Sequence, residues 1–344
     1  MTRSAQRGAT LVEMMIAMTL ALLLSGAAAM IAVNSKSVFR SAAAVARLQD
    51  NARFAVDTLS RDLRMAGFNG CPGGSTPPSS SLNAAGFQYD YSNGLLAFHA
   101  IGTTWSPALD ASITALAPPP LAGTDVMTVR TEIGGGHALV ATMGSSTSAL
   151  SVSAPPATGF GALAVGDIVI AENCTKAVEF EITADPSAGS IAHTAGGPAP
   201  GNASGDLGVA FSTDASLYRL VTHTYYVAPS ALQPGTDSLW VYSVPNYAGT
   251  PNPQEIVEGV QNIALLYGED TDGDGVPNRY VTADAVGVWT NVMAVRVQLL
   301  MQTVQNNMAT SAQPYTFNGV TTVPADRRIR TVMDSTISLR NRNP

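Results

Sequence analysis

Three places in the chain hold residue types whose spacing could do chemistry. Glu269, Asp270, Asp272 and Asp274 set four carboxylates within six residues, and Gly273 and Gly275 allow a tight turn there. Asp270-x-Asp272-x-Asp274-Gly275 matches the first half of an EF-hand loop, with Asn278 at its ninth position, so the oxygen set suits calcium. The twelfth position, where a bidentate Glu belongs, is Val281, and a solvated acidic turn stands as the alternative. Glu13 lies at the start of an apolar run, where a carboxylate costs a few kcal/mol and implies a partner unless it snorkels to the interface. Cys71 and Cys174 are the only cysteines. Joined, they would close a loop of about 100 residues, worth up to about 4.7 kcal/mol on the chain-entropy model; two separate buried thiols are the other possibility.

Other chemistry finds little footing. His99, His137, His193 and His223 are scattered without metal-ligand spacing. No nucleophile elbow, phosphate-binding loop or dinucleotide fingerprint occurs; Gly134-Gly135-Gly136 reads as a turn, and Trp105, Trp240 and Trp289 as core or interface aromatics. The expectation is a protein that is not an enzyme and needs no cofactor, with calcium the one candidate. Eighteen basic against 25 acidic residues, net −7, argue against nucleic-acid binding, which needs basic surface to neutralise phosphates.

The elements that position these residues begin at the N-terminus. MTRSAQRG carries Arg3 and Arg7 and no acid, and residues 14–33 hold no charge at all. Such a run is long enough to cross a hydrocarbon core of about 30 Å, and the leading cations keep that end cytoplasmic. A secretory signal peptide fits poorly, because the apolar run is too long and opens on an acid. Arg7-Gly8-Ala9-Thr10-Leu11-Val12-Glu13 before the uncharged run resembles the class III signal of type IV prepilins and type II secretion pseudopilins. The resemblance implies cleavage between Gly8 and Ala9, N-methylation of Ala9 (the family usually has Phe there), and Glu13 as fifth mature residue. There Glu13 would neutralise a neighbouring subunit's new α-ammonium as the helices stack.

No Pro interrupts residues 1–71, so the helix has no forced break after the membrane. Leu48, Ala52, Ala55, Leu59, Leu63 and Ala66 form one helical stripe, and Arg47, Asp50, Asn51, Arg53, Asp57, Arg61 and Arg64 lie opposite. Asp50 with Arg53 and Asp57 with Arg61 have ion-pair spacing. The alternative is a plain anchor followed by a separate coiled-coil stalk. Gly67, Gly70 and Pro72 end the helix.

Beyond it, residues 95–101, 125–131, 167–171, 177–183, 217–227, 238–244 and 293–304 read as strands, and 327–340 as a last strand or pair. Residues 72–86, 115–123, 154–161 and 185–208 read as loops. The expected fold is α+β: a long N-terminal helix, membrane-spanning and then amphipathic, packed on a large antiparallel β-sheet head. The divisions are a leader (1–8), a transmembrane or filament-core helix (9–33), an amphipathic helix (34–70) and a β-rich periplasmic head (71–344).

Arg64-Met-Ala-Gly-Phe68, the acidic segment 267–275, Trp289 with residues 292–300, and the ending Ser338-Leu-Arg-Asn-Arg342 are similar to PilW-type minor pilins, relatives of the J-type minor pseudopilins. That resemblance implies a structural subunit which helps prime type IV pilus assembly in a tip complex. It implies as partners other minor and major pilins, the prepilin peptidase, the inner-membrane assembly platform and a PilY-type tip adhesin. It implies residence in the inner membrane and then in the pilus at the cell surface. The alternatives are a minor pseudopilin of a type II secretion system and a membrane-anchored adhesive or binding module.

Overall fold

The computed structural model describes residues 10–67, 78–83, 86–156, 158–159, 161–173, 175–247, 249 and 251–339. Its first element is a single α-helix, Leu11–Met65, 55 residues long. This continuity replaces the alternative of an anchor with a separate stalk. Every residue from Thr10 to Arg40 is exposed, and the head first half-buries the helix at Ser41. The stripe Leu48, Ala52, Ala55, Leu59, Leu63 and Ala66 is buried, none of them above 4% exposure. At roughly 25 cal/mol per Å² of apolar area, a stripe of this kind supplies the helix with far more stability than propensity does.

The head holds two large sheets where the pattern of expected strands pointed to one. In the first, of 11 strands, Ser216–Pro229 is central: Val126–Ala141 pairs along one edge, while Ile168–Asn173 and Asp237–Val244 share the other. Its pairing is antiparallel except where Ser79–Ser80 runs parallel to Lys176–Glu181. The second sheet runs Arg279–Val281, Val260–Glu269, Val292–Gln302, Arg330–Ser338, antiparallel throughout. Val260–Glu269 is the longest of several strands that sequence reading missed, and a bulge between Val260 and Asn262 disturbs its alternation. The 327–340 segment forms one strand, not a pair.

The helix stripe sits between the sheets. Its core neighbours include Leu95, Met127, Val129, Tyr225 and Val227 from the first, and Ile263, Leu265, Tyr267, Val295, Val297 and Ile337 from the second. Asp125 stitches the sheets together at one edge. Its Oδ1 accepts Ala100 N–H at 2.8 Å, its Oδ2 accepts Leu265 N–H at 2.8 Å, and its own N–H donates to Ile263 O. Gly134, Gly135 and Gly136 make no turn; they form a bulge inside Val126–Ala141, between the pairs Ile133–Arg219 and His137–Leu217. Gly134 and Gly135 take φ +93° and +80°, the left-handed region that favours Gly, and a Cβ on Gly136 would push on the Tyr218 ring 2.4 Å away.

Candidate functional site

The helix start is built by local hydrogen bonding. Thr10 is the N-cap: its Oγ1 accepts the Glu13 N–H at 3.3 Å, and Glu13 Oε2 accepts the Thr10 N–H at 3.1 Å. Thr10-x-x-Glu13 is thus a capping box, a signal present in the sequence and overlooked there. The consequence is chemical. The Glu13 carboxylate already has an intrachain partner, so its charge does not by itself demand a neighbouring subunit. It is held facing the N-terminal end of the helix, beside the expected cleavage position. Gly8 and Ala9 lie outside the described residues.

The other end of the helix is seated by polar contacts along its flank. Ser41 Oγ donates to Met308 O at 2.9 Å, Asn51 Nδ2 donates to Glu258 O at 3.1 Å, and Arg47 forms an ion pair with Glu258. Asp57 and Arg61 pair within the helix as their spacing implies; Asp50 and Arg53 do not pair among the described residues. Asp62 reaches the central strand of the first sheet, where it accepts Tyr225 Oη at 2.6 Å and His223 Nδ1 at 2.5 Å. Burial pushes the Tyr225 phenol up, and the Asp62 charge adds to the shift. The helix closes where Thr131 Oγ1 donates to Met65 O, and Gly67 N donates to Arg130 O at 2.9 Å. Sequence reading had set His223 aside as one of four scattered histidines. Its i,i+2 spacing to Tyr225, which puts both on one strand face, was the available signal.

The acidic segment becomes a β-hairpin tip of the second sheet. Carboxylate oxygens of Asp270, Asp272 and Asp274 lie within 4.8 Å of one another. Asp270 is buried and Asp272 and Asp274 are exposed. Burial would raise the Asp270 carboxyl, but N–H groups of Gly273, Gly275 and Asp272 outweigh that and hold it below its usual range. Gly273 and Gly275 both take positive φ to aim those donors. Asn278 turns its Oδ1 to Thr271 N–H and donates from Nδ2 to Asp272. The chain then pairs back on itself, Glu269 with Arg279 and Tyr267 with Val281. So the twelfth position is a strand residue, and the EF-hand likeness ends with its first half. Glu269 points elsewhere, accepting from Arg279 and from Val288 N–H. Three convergent hard carboxylates fit a calcium ion held by Asp270, Asp272 and Asp274, with solvent completing its shell.

The remaining sequence candidates are apart. His99 pairs with Asp125, and His193 Nε2 lies 2.9 Å from Ser148 O. Trp240 is buried, Trp105 donates to Thr124 O, and Trp289 packs edge-on against Tyr267. Cys71 and Cys174 lie outside the described residues.

Two family models align with these regions. Residues 3–29 match the prokaryotic N-terminal methylation motif, which takes in the capping box and most of the exposed apolar helix. Residues 224–341 match the type IV pilus-assembly protein W family. This C-terminal part of the chain is similar to PilW-type minor pilins. The PilW match begins inside the central strand, just after His223, and takes in the whole second sheet with its acidic tip. It also takes in first-sheet strands, among them Asp237–Val244, so the matched residues pack on the helix from both sheets. No curated protein and no solved structure matches the chain. The prepilin-like motif together with the apolar helix marks a membrane-anchored protein of the pilin type.

Proposed function

We propose that this PilW-type chain is a structural subunit, without catalytic role, that helps prime type IV pilus assembly within a minor-pilin complex at the filament tip. The observation that carries the reading is the division of one unbroken helix: exposed and apolar from Leu11 to Val33, then socketed between two sheets from Leu48 onward. A helix of that form can leave lipid and enter a bundle of like helices without unfolding its head. In this reading the leader is residues 1–8, removal falls between Gly8 and Ala9, and Ala9 becomes the methylated α-amino group. The capping box presents the Glu13 carboxylate at the helix start, where a neighbour's α-ammonium would replace or share the Thr10 N–H. Partners follow from the same reading: other pilins, the prepilin peptidase, the inner-membrane platform and a PilY-type adhesin.

The test separates processing from assembly. Gly8→Val should block leader removal, seen as an unshifted band by mass spectrometry, while Glu13→Ala should be processed and leave few or no pili. Normal piliation with Glu13→Ala would overturn the charge-pairing role. Loss of a secreted protein with pili intact would instead assign the subunit to a type II secretion system.

A second reading concerns the hairpin tip. The convergence of Asp270, Asp272 and Asp274 supports weak calcium binding there, with the ion neutralising three like charges.

A further inference from the structure

Between the long helix and the segment 305–308 lies an open cleft of about 460 Å³, lined by Arg40, Ala43, Ala44, Arg47, Gln305 and Met308. Its position along the helix determines what it faces. The uncharged run ends at Val33, and the head first contacts the helix where Ser41 Oγ donates to Met308 O. At 1.5 Å per residue, Lys36 lies about 5 Å beyond Val33 and Arg40 about 10 Å. A bilayer's headgroup layer is about 5–8 Å thick on each side. Helical side chains lean toward the helix N-terminus, so both cations reach back toward the bilayer and not up toward the head.

Spacing and charge complete the arrangement. Lys36, Arg40 and Arg47 are at i, i+4 and i+11, and Arg40 and Arg47 border the same cleft. Arg47 is neutralised by Glu258. Lys36 and Arg40 are exposed and make no ion pair or hydrogen bond among the described residues. The cleft thus has one uncompensated cation, Arg40, with Lys36 a helical turn below it toward the bilayer, and is otherwise lined by small Ala43 and Ala44 and the Gln305 amide. A guanidinium with free N–H groups in that setting matches a phosphodiester, which it can engage through two parallel hydrogen bonds.

We propose that this cleft binds the phosphate of an anionic phospholipid headgroup while the helix spans the bilayer, seating the base of the head on the membrane before assembly. The inference rests on the membrane-spanning reading of the helix. The full chain in nanodiscs of phosphatidylcholine and phosphatidylglycerol, released for native mass spectrometry, tests it. The wild type should retain phosphatidylglycerol in preference to phosphatidylcholine. Arg40→Gln should lose about fivefold of that retention and Lys36→Gln/Arg40→Gln more, while Arg53→Gln, on an exposed cation away from the cleft, should retain it fully. Equal retention of the two lipids by the wild type, or undiminished retention by the double variant, would overturn the site alone. Failure of the wild type to enter the discs would overturn the membrane reading and the site with it.

Discussion

The Asp62 carboxylate on the long helix accepts the Tyr225 hydroxyl at 2.6 Å, from a strand 163 residues further along the chain. The same oxygen lies 2.5 Å from His223 Nδ1, so one helical acid latches two neighbouring side chains of the central strand. Asp62→Ala leaves the buried Tyr225 hydroxyl without its acceptor and should cost about 1–3 kcal/mol. Tyr225→Phe should cost less, because His223 still partners the acid. Thermal unfolding checks both, and an unchanged Tm for Asp62→Ala would show that the latch carries no stability.

Stability should fall as pH rises from about 5 to 8.5. Burial, then the charge on Glu172, pushes the Glu132 carboxyl up to about 8. Burial lifts Glu172 to about 7. Burial also lifts Glu179 to about 7, with Ser80 and Arg130 opposing and Asp90 adding. Acids raised on folding bind more protons folded than unfolded, so their stabilisation is complete below about pH 4.3 and is lost through pH 7–8. Glu269, Asp270 and Asp334 are lowered instead, and their contribution changes only below that window. Glu132→Gln should flatten the slope of Tm between pH 5 and 8.5; an unaltered slope would contradict the assignment.

The helix terminus is seated by a close backbone approach. Gly67, at φ +67°, lies so near Gly94 that a Cβ on Gly94 would fall 2.2 Å from Gly67 Cα. Gly94→Ala should therefore destabilise by about 1–3 kcal/mol and increase proteolytic cutting near Arg64, with cleavage rate as the measurement.

For the hairpin tip, calcium at 10 mM against a dissociation constant of about 1 mM should stabilise by about 1.4 kcal/mol. The gain in Tm should vanish in Asp272→Asn/Asp274→Asn, which leaves the turn-forming Asp270 in place. Absence of any wild-type shift in millimolar calcium would return the segment to a solvated acidic turn.

We further propose a Cys71–Cys174 bridge, as an oxidising compartment would favour. Non-reduced protein should show no thiol reactive to maleimide after denaturation, and two after reduction. Free thiols in the non-reduced sample would disprove the bridge.

What was legible in the sequence was local. The stripe from Leu48 to Ala66 repeats at helical period, and the absence of Pro let the apolar and amphipathic halves read as one helix. Strands such as Leu95–Ile101 and Asp237–Val244 showed themselves by composition and alternation. Even the Thr10–Glu13 capping box was there to be read, being a contact across three residues. The division into two sheets, the bulge of Gly134–Gly136, the Asp125 stitch and the Asp62 latch belong to the tertiary structure alone. Each depends on which faces meet when distant parts of the chain come together, over 163 residues between Asp62 and Tyr225 and 140 between Asp125 and Leu265. No local periodicity carries that information, because hydrogen-bond partners are chosen by the packing of the whole core around the helix.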